Sequence, residues 1–417
     1  GMMLRLLVGG LFAALMGCGG DGEVRDTPAG GQGGGGGADV GQGGSGGLNR
    51  PPPGMPTVTQ VSTFDSKIFR LNATLVELAD GRVLVAGGRI RRSPPGGGTA
   101  RATGREEIEI FDVANGTYVE VAPLKQGRIG ASSVLLPDGK VLITGGFGGP
   151  PGEVPVLLDS AEIFDPATND TTLRRAMNTA RAYHGSWLLS SGANAGKVLI
   201  AGGGTASAPE VYDPATGMFT PLGAANGPPG GVEYPVLLDD EQVVFIGTPS
   251  DLPVDDRGYH RYDPEAGIFD DLGLFTSRGR SRYTVTKLHD GRVLIAGGVE
   301  GNEGLADLDV FDPSDNSIAP TGQLLEGRRY LHSAAVLPSG RVALISGFRA
   351  IGESLATVAI WDPETGTVSD AAGEVFPGRA NSQALTLSSG QIFVIGGEFL
   401  DRTGNLLSLP NIDLISE

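Results

Sequence analysis

The stretch SSVLLPDGKVLITGG, Ser132 to Gly146, has near-copies throughout the chain after residue 55, and self-similarity of this kind restricts a fold more than composition does. It recurs from Ala73, Gly185, Tyr234, Tyr283, Ser333 and Ser382, giving seven copies. A second motif follows the hairpins: EIFDVANGTY at Glu109, EIFDPATNDT at Glu162, EVYDPATGMF at Glu210, HRYDPEAGIF at His260, DVFDPSDNSI at Asp309 and AIWDPETGTV at Ala359, with only IDLISE after the seventh. Each unit reads as strand, tight Asp-Gly or Ser-Gly turn, strand, variable loop, strand, Pro-Glu-Thr-Gly type turn and strand. The period of about 50 residues is that of a four-stranded propeller blade.

The last repeat has its first three strands, SQALTL, QIFVIGG and IDLIS, and no fourth. Before the first repeat lies MPTVTQVSTF, an alternating apolar and polar strand from Met55 to Phe64. Pairing it onto IDLIS completes every blade and leaves no long edge exposed. The expected fold is therefore all-β, a seven-bladed propeller closed by its N-terminal strand. Gly145-Gly146 ends a strand, whereas a phosphate-binding loop opens a helix, so the pair reads as a structural device at the start of each variable loop.

The double glycine, the aromatic before Asp-Pro and the period resemble the kelch repeat, and the resemblance covers about Pro56 to the end. That family usually places Trp in the outer strand; here Tyr118, Phe219 and Phe269 hold the place in three blades and Ile318 and Val368 in two others. Turns and loops sort onto two faces of such a propeller. The loops after the glycines vary in length, and variable loops on a rigid scaffold are where recognition is carried.

An arginine stands ahead of each inner strand, at Arg70, Arg128, Arg181, Arg280, Arg329 and Arg379, with Gly230 in the fourth blade. Two readings follow: a cationic ring at the channel mouth, or a brace pairing each guanidinium with a carbonyl or an acid of a neighbouring blade. Three residues further on stand Ala73, Ala131, His184, Glu233, Tyr283, His332 and Ser382, with Tyr183 and Tyr330 flanking this level. His184, Glu233, Tyr283 and His332 are expected to converge on the mouth, where such groups bind sugars or move protons.

Galactose oxidase and its relatives use the same kind of propeller, and the resemblance implies copper held by two His and two Tyr, with a Tyr joined covalently to Cys. The single cysteine here is Cys18, outside the repeats, so that redox group cannot form and no cofactor is expected. A periplasmic sugar epimerase or mutarotase remains an alternative, with Glu233, His184 or His332 as acid and base and the arginines binding an anion. No Walker A, zinc-protease or serine-elbow motif is present. The leading reading is a binding module for a protein or glycan, anionic if the arginines are free.

Leu6 to Met16 forms an apolar run of signal-peptide length, preceded by Arg5, and ends in LMGC, which resembles the lipobox of bacterial lipoproteins and implies lipidation at Cys18. The stretch PAGGQGGGGGADVGQGGSGGLNRPPPGMP has too little apolar content to fold. The expected organisation is a signal over residues 1–18, a disordered tether over 19–54 and the propeller over 55–417, on a monomer anchored in the outer membrane or at the surface of a bacterial cell. A formal net charge of -17, with no basic run, argues against nucleic acid as a partner.

Overall fold

The computed structural model describes residues 54–63, 70–89, 104–149, 154–203, 208–223, 234–247, 258–274, 280–300, 303–321, 327–350, 353–400 and 406–417. Seven four-stranded antiparallel sheets form the blades. Blade 1 runs from its inner strand Thr74–Glu77 through Val83–Ala86 and Ile108–Asp112 to its outer strand Thr117–Val121. Blades 2 to 6 repeat this order within residues 132–173, 185–221, 234–274, 284–320 and 333–370. Blade 7 takes three strands from the end of the chain, Gln383–Thr386, Ile392–Ile395 and Asn411–Ser416, and its outer strand, Thr57–Thr63, from the beginning. The expected closure is thus present, with Thr57 opposite Ser416 and Thr63 opposite Asn411.

The second strand of each blade, such as VLIT at Val141–Thr144 or IFVI at Ile392–Ile395, is buried at all four positions. Such a strand has neighbouring blades on both faces, so it carries a continuous apolar run in place of alternation. Its side chains enter clusters between successive blades. Val141 and Ile143 pack on Leu84 and Ile110 of blade 1, while Leu142 packs on Val198 and Ile200 of blade 3. Phe393 and Ile395 of blade 7 pack on Val85 and Phe111 of blade 1, which closes the ring.

The outer-strand aromatics occupy the expected register. Phe111 stacks on Tyr118 with centroids 5.5 Å apart, Tyr212 meets Phe219 at 4.8 Å and Tyr262 meets Phe269 at 4.5 Å. The Asp before each outer turn caps it: Asp165 Oδ1 accepts from the Ala167 N–H at 2.9 Å, and Asp213 Oδ1 from the Ala215 N–H at 2.8 Å. These turns and the Asp-Gly turns lie on one face. The links between blades and the loops after the glycines lie on the other.

At the glycine pair the backbones of successive blades touch. Gly145 has a φ of 60°, and a Cβ there would stand 2.2 Å from the Arg181 carbonyl oxygen of the next blade. The Gly146 N–H donates to that same carbonyl at 2.8 Å. Gly88 with Arg128, Gly298 with Arg329 and Gly347 with Arg379 repeat the bond at 2.7, 2.8 and 2.8 Å. The pair is a joint between blades, and only a residue without a side chain fits its first position unstrained.

Candidate functional site

The recurring arginines are buried, between 0 and 6% exposed, and each braces its own blade. Arg128 is representative: Nη1 donates to the Gly145 carbonyl at 2.8 Å, and Nη2 and Nε donate to Glu162 Oε1 at 3.0 and 3.2 Å. Arg181 pairs with Glu210 at 2.9 Å, Arg70 with Glu109 at 2.5 Å, Arg280 with Asp309 and Arg379 with Asp413. The acid also holds the link entering the blade, since Glu162 accepts from the Lys125 and Gln126 N–H groups and Glu210 from that of Asn178. A ring of free cations at the mouth is therefore corrected to a set of internal braces. The partner belongs to the same blade, not to its neighbour.

This pairing explains the irregular blades. Blade 4 has Gly230 in the arginine place and His260 in the acid place, so both members changed together. His260 is buried, with Nδ1 3.9 Å from the exposed Asp271. Blade 6 keeps Arg329 but has Ala359 where the acid belongs.

His184, Tyr283 and His332 also turn away from the mouth. His184 Nε2 shares a hydrogen bond of 2.8 Å with the Thr144 hydroxyl of blade 2, and His332 Nε2 one of 2.9 Å with the Thr284 hydroxyl of blade 5. The Tyr283 hydroxyl donates to the Ile246 carbonyl of blade 4 at 2.9 Å. Each side chain reaches back one blade, as Ser382 does when it meets Ser333 at 3.0 Å. The expected convergence of His184, Tyr283 and His332 is replaced by stitches between blades. Burial, then the Arg181 and Arg128 charges, hold His184 well below its ordinary pKa; burial and Arg329 lower His332 to about 3. Both rings are neutral at physiological pH. Glu233 and Cys18 lie outside the described residues.

What the mouth does present stands one residue earlier. Asn72, Gly130, Tyr183, Arg282, Leu331 and Asn381 occupy equivalent places, two residues after each arginine, and all have φ between 53° and 64°. Their backbones bond in sequence around the channel. The Gly130 N–H donates to the Asn72 carbonyl at 2.9 Å, Tyr183 to Gly130 at 2.8 Å, Leu331 to Arg282 at 3.0 Å and Asn381 to Leu331 at 2.7 Å. Apart from Gly130, these residues are half-buried. The Tyr183 ring lies across Gly130, where a Cβ would be 2.7 Å from it, and the Tyr183 hydroxyl accepts from Asn72 Nδ2 at 3.0 Å. Burial raises the Tyr183 pKa to about 12, so the hydroxyl stays protonated. On the other arc Asn381 Nδ2 donates to Glu398 Oε1 at 2.6 Å.

Sequence reasoning named Tyr183 only as a flanking residue. Asn at 72 and 381 and Gly at 130 carried the signal, because these are the residue types that adopt the left-handed conformation most readily.

No family model matches the chain, and no curated protein is similar to it. Among solved structures, the fold is similar to that of a novel fungal alcohol oxidase with catalytic diversity among the AA5 family, in complex with copper. The TM-score is 0.65 and the identity 16%, covering 86% of this chain and 75% of the oxidase. The likeness supports the class defined by the seven blades, a β-propeller of the galactose-oxidase type of fold. The described residues do not fit a copper centre. The Nε2 atoms of His184 and His332 are occupied by threonine hydroxyls, and positive guanidiniums stand beside both rings. Among the described residues no group of three His, Cys, Asp or Glu is placed to hold a metal ion.

Proposed function

We propose that this protein is a kelch-type binding module that takes a protein or glycan ligand at the rim of its loop face and is held to a bacterial cell envelope by a lipid on Cys18. The rim conformation carries the reading. Its backbone suits Gly and Asn, which stand at 130, 72 and 381, yet Tyr183, Arg282 and Leu331 hold the same conformation at an expected cost of about 1–2 kcal/mol each. A disfavoured backbone that keeps large side chains around a channel mouth supports a role for those side chains. An aromatic ring, a guanidinium and amides suit sugar hydroxyls, a carboxylate or an acidic peptide.

The position of Gly54 supports a rim turned away from the anchor. Arg341 Nη2, on the turn face, donates to the Gly54 carbonyl, so Gly54 stands on the side opposite the loops.

The test is an array of uronic-acid and sialic-acid glycans and acidic peptides, probed with the wild type and with a Tyr183→Gly, Arg282→Gly, Leu331→Gly variant. The variant is expected to lose binding at least about tenfold, or 1.4 kcal/mol, while melting no lower than about 3 °C below the wild type, because glycine relieves the backbone. Undiminished binding by a folded variant would exclude the rim.

A further inference from the structure

In the five described blades that keep both residues, Nη2 of the arginine meets a carboxylate, and in four of them Nη1 goes to carbonyl oxygens. Blade 6 keeps only the second half of this arrangement. Arg329 Nη1 donates to the Leu344 carbonyl at 2.7 Å and to those of Ser346 and Thr357 at 3.4 Å each. Its other edge has the Gly327 carbonyl 3.3 Å from Nε and the Thr357 hydroxyl 3.4 Å from Nη2, both long contacts to neutral groups. The acid position is Ala359, whose side chain ends at Cβ.

Arg329 is 1% exposed, and a guanidinium does not lose its proton in a protein. An uncompensated cation at such depth is far more costly than a paired one. Among the described residues, Asp370, directly opposite Ala359 on the outer strand, is the one acid whose charge acts on Arg329, but it is exposed and forms no ion pair with it. Burial correspondingly lowers the Arg329 pKa to about 10. Gly327 occupies the place of Gln126, whose N–H donates to Glu162 in blade 2. Thr357 and Gly327 are half-buried, so this edge of Arg329 lies close to the surface of the loop face.

We propose that blade 6 binds a small inorganic monovalent anion, of the chloride class, against the Nε–Nη2 edge of Arg329 in the space that a carboxylate fills in the other blades. The anion neutralises the guanidinium and takes over the acid's part in holding the link into the blade. It needs no residue of the rim, so the site stands independently of the ligand reading above.

The experiment uses the full chain, dialysed free of halide, with melting temperature followed as chloride, bromide or nitrate replaces gluconate at constant ionic strength. The wild type is expected to gain at least about 2 °C between none and 150 mM chloride, by preferential binding to the folded state. Ala359→Asp, which rebuilds the pair seen at Asp309 and Asp413, is expected to melt higher in gluconate and to lose the chloride response. Bromide soaked into crystals should give an anomalous peak at Arg329. Identical melting of the wild type in chloride and gluconate would overturn the proposal. It would equally fail if Asp370→Asn destabilised the protein and chloride did not restore it, because Asp370 would then be the counter-charge. Should Ala359→Asp fail to fold, the wild-type salt series and the bromide peak decide.

Discussion

At the residue scale, the groups with the most reactive side chains are bound into the architecture. His332 is the clearest case, held between the Thr284 hydroxyl and the Gly297 backbone of blade 5 with the Arg329 charge nearby. Its pKa of about 3 in the folded chain lies below the value near 6.5 expected when unfolded. The unfolded state therefore binds more protons between these values. The contribution of neutral His332 is fully present above about pH 6.5 and is lost as the pH falls towards 3, at up to about 1.4 kcal/mol per pH unit. His184, lowered for the same reasons, acts in the same direction. In His332→Gln, whose amide can still bond Thr284, that share of the acid sensitivity should disappear. Urea midpoints at pH 7.5, 6 and 5 check this: the wild-type and variant stabilities should converge on acidification, and parallel profiles would assign the acid sensitivity elsewhere.

At the level of elements, each blade repeats one solution, and the N-terminal strand is the part that no neighbour in sequence supplies. Thr57–Thr63 pairs along Asn411–Ser416, and Val58 and Ala372 bond it further to the exit of blade 6. Removing residues 55–63 leaves Asn411–Ser416 as an unpaired edge and uncovers apolar surface against Leu414 and Ile415. The truncated chain should lose more than about 5 kcal/mol of stability, a large part of what a domain of this kind has, and should aggregate. An unchanged melting temperature would show that the ring closes without the strand.

These elements were legible because turn chemistry and the buried second strands recur locally, within about 50 residues. The site was less so. Arg128 and Glu162 are 34 residues apart, and their pairing shows in sequence only through covariation among repeats, as in the joint change to Gly230 and His260. The rim was obscured for another reason. Its defining property is a backbone angle, which Asn72 and Gly130 advertise but Tyr183, Arg282 and Leu331 conceal.

At the scale of the whole molecule, a closed ring makes the position of the chain ends a local matter. The polypeptide enters at Gly54 and reaches Glu417 on the same face, and both positions bond Arg341 of blade 6: its guanidinium donates to the Gly54 carbonyl and to Glu417 Oε1, the latter 2.6 Å from Nη2. Thr57 is directly opposite Ser416, so the two strands form an antiparallel pair lacking only a connecting turn. A linker of about four residues spans neighbouring strands less than about 5 Å apart at little entropic cost. A circular permutant that joins Glu417 to Gly54 in this way and opens the Asp138-Gly139 turn moves the noncovalent closure from blade 7 to blade 2. Gly139 has a φ of 81° and nothing within 4 Å of a Cβ built on it, so new ends there disturb no packing. The inner strand Ser132–Leu135 would then close blade 2 from the C-terminal end. If stability resides in the seven interfaces and not in the order of the strands, this permutant should unfold cooperatively within about 5 °C of a parent starting at residue 54. It should also keep the parent's binding on the array, because the rim and its loops lie on the opposite face. A permutant that failed to fold would show that closure by the N-terminal strand has a role beyond completing the ring.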